Sequence, residues 1–167
     1  MQRALVVSLA VLWTWGCGAE SKKDILAVQH TVVRYTQLLA EGYSKMNMTI
    51  LQEVATEEQA LKAYRHMSAL GDAKIRMEPH LEDIEFVEIE LPEKGLAKVK
   101  TKEEWNYAHV SMKIPGQSVV KGLMYNLDYE LVKRDGRWLV SSVSILEENK
   151  DEDVVKGSTR QAKRNTT

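Results

Sequence analysis

Residues 129–143 read YELVKRDGRWLVSSV, and this stretch decides the fold. Asp135-Gly136 lies between two runs of alternating apolar residues, the strongest short-range signal for a two-residue β-hairpin turn. Upstream, Val119, Leu123, Tyr125, Leu127, Tyr129 and Leu131 share one parity and so one face of a strand over Val119–Val132. Downstream, Trp138, Val140 and Ser142 stand against Leu139, Val143 and Ile145. Two long antiparallel strands therefore close the domain.

Moving toward the N-terminus, Pro115-Gly116 marks another turn. Leu96–Met112 before it is a strand with Ala97, Val99, Thr101, Glu103, Trp105, Tyr107 and His109 on one face. Pro92-Glu93-Lys94-Gly95 is a turn with proline and glycine at its ends. A first strand over His80–Leu91 changes parity: Ile84 and Phe86 alternate, then Val87, Ile89 and Leu91 take the opposite phase. That switch predicts a β-bulge near Phe86 and a bend in the strand.

Before Gly71 the period is helical. Ile25, Val28, Val32, Tyr35 and Leu39, widened by Leu38, form one apolar stripe, with Asp24 as its N-cap and Gly42 as its end. A short helix over Met48–Val54 turns Ile50, Leu51 and Val54 inward. Thr56-Glu57-Glu58-Gln59 has the form of a capping box for a third helix through Leu61, Tyr64, Met67 and Leu70, ending at Gly71.

The extremities read differently. Arg3 precedes an apolar run from Ala4 to Trp15, about 12 residues, which is signal-peptide length and short of the roughly 20 needed to span a bilayer. A buried N-terminal helix or strand is the plain alternative. Thr14-Trp15-Gly16-Cys17-Gly18 resembles the bacterial lipobox, in which a small residue precedes the cysteine that receives the lipid. Gly16 and Cys17 fit it; Thr14 and Trp15 depart from the preferred residues. The resemblance implies lipidation (palmitate and related acyl chains) of Cys17, and Gly18, not being Asp, implies freedom to reach an outer membrane. Cleavage by ordinary signal peptidase between Cys17 and Ala19 competes with it. The expected organisation is signal peptide 1–16, lipidated tether 17–23, one domain 24–147 and a polar disordered tail 148–167.

Composition excludes several classes. The net charge of −1 leaves no nucleic-acid footprint. A single cysteine builds neither an internal disulfide nor a cysteine zinc site. His30, His66 and His80 show no ligand spacing, so no metal is expected. There is no Gly-x-Ser-x-Gly turn, no phosphate loop and no cofactor motif.

Three helices followed by a four-stranded antiparallel meander make an α+β domain in which the first helix lies across a curved sheet. The stretch Val33-Arg34-Tyr35-Thr36-Gln37-Leu38-Leu39-Ala40-Glu41-Gly42 and the closing hairpin make this similar to the NTF2-like superfamily of cone-shaped domains. The likeness covers residues 24–147. It implies either a non-catalytic binder or an isomerase- or dehydratase-like enzyme with a general base inside the cone, and it implies homodimers through the sheet face.

The candidate catalytic residues are Glu103, His109 and Asp128, and the candidate pocket residues are Tyr35, Trp105, Tyr107, Tyr125 and Tyr129. The reading preferred from sequence alone turns Glu103 and His109 outward into water, because no neighbouring residue completes a recognised motif with them. The function expected is that of an exported, lipid-anchored, non-catalytic domain of the cell envelope, in the periplasm or at the cell surface. Its partner would be an envelope protein or a small apolar ligand; the alternative is the enzyme, with Asp128 or His109 as base.

Overall fold

The computed structural model describes residues 17–114 and 118–150. The elements are helix α1 (Cys17–Lys45), a 3-10 turn (Met48–Glu53), helix α2 (Glu57–Asp72) and strands β1 (Ile75–Glu93), β2 (Leu96–Ser111), β3 (Ser118–Arg134) and β4 (Arg137–Lys150). The strands form one antiparallel sheet in the order β1-β2-β3-β4. The helices pack on its inner face, α1 chiefly against β1. This is an α+β domain with N-terminal helices on a four-stranded open sheet, the cone architecture expected.

The core follows the parities. Val28, Val32, Tyr35 and Leu38 of α1 are buried against Ala97, Val99, Leu127, Tyr129, Leu131 and Val140 of the sheet. In β1 the register shifts between Phe86 and Glu88, so Val87 is the extra residue and points to solvent. Further shifts fall at Leu81/Asp83 and Glu90/Glu93. Bulges bend a strand, and these curve β1 around the helices. The last one accommodates Pro92 within the strand, since proline cannot donate to the ladder. The turn itself is therefore shorter than expected: Glu93 pairs with Leu96 around Lys94-Gly95, with Gly95 at φ +82°. The second hairpin is as read, with both Asp135 (φ 50°) and Gly136 (φ 77°) in the left-handed region of a type I′ turn.

Helix ends depart from the sequence expectation. Helix α1 spans Cys17–Lys45 among the described residues, so Asp24 lies inside it rather than capping it. The Asp24 Oδ1 atom instead accepts hydrogen bonds from Lys133 Nζ (2.6 Å) and Trp138 Nε1 (3.2 Å). That end of the helix is thereby fastened to the β3–β4 hairpin. Gly42 does not stop the helix either; it lets the chain return closely, since a Cβ there would lie 2.6 Å from Met48 Sδ. The helix ends beyond it, where Met46 turns to φ 54° and Asn47 N–H donates to the Gly42 carbonyl at 2.8 Å.

Thr56 caps α2 as expected, its hydroxyl accepting from Gln59 N–H at 3.4 Å. The reciprocal half of the capping box is absent. Gln59 Nε2 donates to the Tyr35 hydroxyl (2.7 Å), while Thr56 N–H pairs with the Val140 carbonyl (2.9 Å). Gly71 is likewise not the terminus, because α2 continues to Asp72 and reverses at Lys74, φ 61°. Strand β4 runs three residues past the expected boundary at 147. The signal-peptide, Pro115-Gly116 and tail readings, the last from residue 151, lie outside the described residues.

Candidate functional site

The alternation of β2 turns Glu103 inward, contrary to the solvated orientation preferred from sequence. Glu103 is 0% exposed. Its Oε1 accepts from Thr101 Oγ1 (2.9 Å) and the Tyr129 hydroxyl (2.7 Å), and its Oε2 accepts from Trp105 Nε1 (2.7 Å). Thr101 and Trp105 sit two residues to either side on the same strand face, where period-two geometry brings them together. Burying a carboxyl is tolerable only when hydrogen bonds replace its hydration, and these three donors do so. Among the described residues no cation forms an ion pair with it.

Tyr129 and Tyr35 pack beside this centre, ring centroids 6.1 Å apart and nearly perpendicular. Burial, followed by the nearby Glu103 charge, holds the Tyr129 phenol well above its ordinary pKa. Burial likewise pushes Tyr35 up to about 12. These two candidate pocket residues belong to the solid part of the core.

A cavity of about 280 Å³ opens at the other end of the domain. Its walls come from Leu39 and Tyr43 of α1, His66 of α2, Met77 and Pro79 of β1, Trp105, Tyr107 and His109 of β2, and Leu123 and Tyr125 of β3. Trp105 and Tyr107 stack at 5.9 Å, and Tyr107 meets Tyr125 edge-on at 6.3 Å. The Tyr43 hydroxyl lies 2.6 Å from His66 Nδ1. Burial raises the pKa of Tyr43 and Tyr107, and burial with the Glu148 charge raises that of Tyr125. The cavity hydroxyls therefore stay as O–H groups at neutral pH.

The structure thus brings together Trp105, Tyr107, Tyr125 and His109. It puts Glu103 behind the cavity wall, and it puts Asp128 on the opposite face of the sheet, pairing in register with Lys100. That outer face is a charge ladder: Glu85, Glu88 and Glu90 of β1 stand opposite Lys102, Lys100 and Lys98 of β2. The Lys100–Glu88 contact is 2.7 Å.

Sequence reasoning missed Tyr43 and His66. Tyr43 continues the Tyr35–Leu39 spacing by one more turn, a signal that the assumed stop at Gly42 concealed. Nothing local marks His66, because its partner lies 23 residues away.

Fold and cavity together make an α+β domain whose architecture is consistent with an NTF2-like cone, with a hollow of about 280 Å³ at its open end. Among solved structures, the intermembrane-space region of the chloroplast protein ARC6 is similar with a TM-score of 0.64 at 12% identity, over 71% of this chain and 93% of that one. A variant of Rv3472, a function-unknown protein from Mycobacterium tuberculosis, gives 0.51 at 13% identity over 83% and 79%. A protein from Catenulispora acidiphila gives 0.50 at 12% over 83% and 99%. At these identities the likeness shows the fold alone. No family profile and no curated protein matches the sequence.

Proposed function

We propose that this chain is a non-catalytic binding domain that takes a small apolar molecule into the cavity at its open end, working outside the cytoplasm on a lipid anchor at Cys17. The observation that carries the binding part is the aromatic-walled hollow of about 280 Å³, close to the lower size of small-molecule sites. A general base must come within about 3 Å of the proton it removes. Glu103 is sealed in the core with its three donors, and Asp128 faces away, so the enzyme reading keeps only His109. The export part rests on the sequence of residues 1–17. Among the described residues no helix is long and apolar enough to cross a membrane, so attachment would depend on the acyl chains.

The cavity is tested with N-phenyl-1-naphthylamine, a neutral probe whose emission rises in apolar surroundings. The expected result is saturable binding to the wild-type domain and loss of it in Leu123→Trp, which fills the hollow from β3. Undiminished binding by a folded Leu123→Trp variant would place the site elsewhere.

A further inference from the structure

Among the described residues, none of the ten around the cavity is Lys, Arg, Asp or Glu. In a chain with 23 basic and 24 acidic residues, these ten side chains offer no fixed charge to an ionised ligand. Taking a carboxylate or an ammonium out of water without a partner costs several kcal/mol. An ion is therefore a poor occupant.

The polar groups that remain are phenols and imidazoles. Tyr107 and Tyr125 keep their protons for the reasons above. The Tyr43–His66 pair is more informative. If the hydroxyl donates to Nδ1, the proton of the neutral imidazole sits on Nε2 and that N–H is left over. If Nδ1–H donates instead, the Tyr43 O–H is left over. Either tautomer supplies one spare donor, from a pair that lines the cavity on the helix side. Trp105, Tyr107 and Tyr125 present ring surfaces from the sheet side.

We propose that the cavity takes an uncharged one- or two-ring compound bearing a hydrogen-bond acceptor such as a ketone, ester or lactone oxygen, and that Tyr43 and His66 form the clasp that donates to it. This rests on the cavity being a binding site, and the test separates the two ideas. The full-length protein is titrated with four probes on one skeleton: 2-methylnaphthalene, 2-acetylnaphthalene, 2-naphthoate and 2-naphthylmethylammonium. Binding is followed by chemical-shift changes of the Trp105 indole N–H.

The ketone is expected to bind roughly 3- to 10-fold tighter than the hydrocarbon, the worth of one net hydrogen bond, with both ions weakest. The double variant Tyr43→Phe/His66→Ala is expected to lose that advantage while still binding the hydrocarbon, which also shows that it is folded. Equal binding of ketone and hydrocarbon overturns the clasp but leaves the cavity as a site. Tightest binding of either ion overturns the neutral-ligand assignment. If no probe perturbs Trp105, the cavity reading falls and the clasp with it.

Discussion

Glu103 shows how a charged residue becomes part of a core. Its carboxyl fixes the rotamers of Trp105 and Tyr129 and so sets the floor on which the cavity wall rests. Glu103→Gln puts an NH₂ group against at least one of the three donors. An unpaired buried polar group costs about 1–3 kcal/mol, and a loss of that size is expected as a lower urea midpoint at unchanged slope. An unchanged midpoint would mean that the three hydrogen bonds do not hold the core. The alternation of β2 was legible and placed Glu103 with Thr101 and Trp105. Which side of the strand faced the helices was not, because the deciding donor, Tyr129, is 26 residues away. A lone glutamate on an apolar face looks like a solvated one until that third donor is known.

At the scale of elements, α1 is held at both ends by contacts with distant parts of the chain. Near its start, Asp24 meets Lys133, which also lies over the Trp138 ring at 5.4 Å from its centroid. The hydrogen bond from Lys133 first, then that from Trp138, draws the Asp24 carboxyl below its ordinary pKa against the cost of burial. A depressed carboxylate contributes stability that is present above its unfolded pKa of about 3.9 and is lost as pH falls through the lower folded value. Asp24→Ala is therefore expected to cost roughly 0.5–1 kcal/mol at pH 7, modest because the pair keeps water contact. Thermal melts should show the deficit closing in acid; a deficit that persists there would point to lost packing instead. Turn residues and parity made the strands and the Phe86 bulge legible. Helix ends were less so, because Asp24 and Gly42 have the chemistry of caps yet serve tertiary contacts, one to Lys133 and the other to Met48.

For the whole molecule, the sheet protects itself in two ways. The charge ladder wets its outer face, and part of the free edge of β4 is covered where Val140 pairs with Val54 and Thr56. Under the proposed lipid anchor, attachment of the domain would depend on Cys17. Cys17→Ser is expected to move the protein from the membrane fraction to the soluble fraction of the producing cell; unchanged fractionation would remove the lipid anchor from the proposal. The hollow was legible only in part, since its sheet wall follows from alternation while its helix wall depends on how α1 and α2 cross. Helix α1 is unbroken from Cys17 to Lys45. At about 1.5 Å per residue, Tyr43 stands roughly 39 Å along the helix axis from Cys17. Under the proposed anchor at Cys17, that shaft would act as a rigid mast holding the mouth of the cone away from the bilayer, so that a ligand would be gathered from the aqueous side and not drawn up from the lipid.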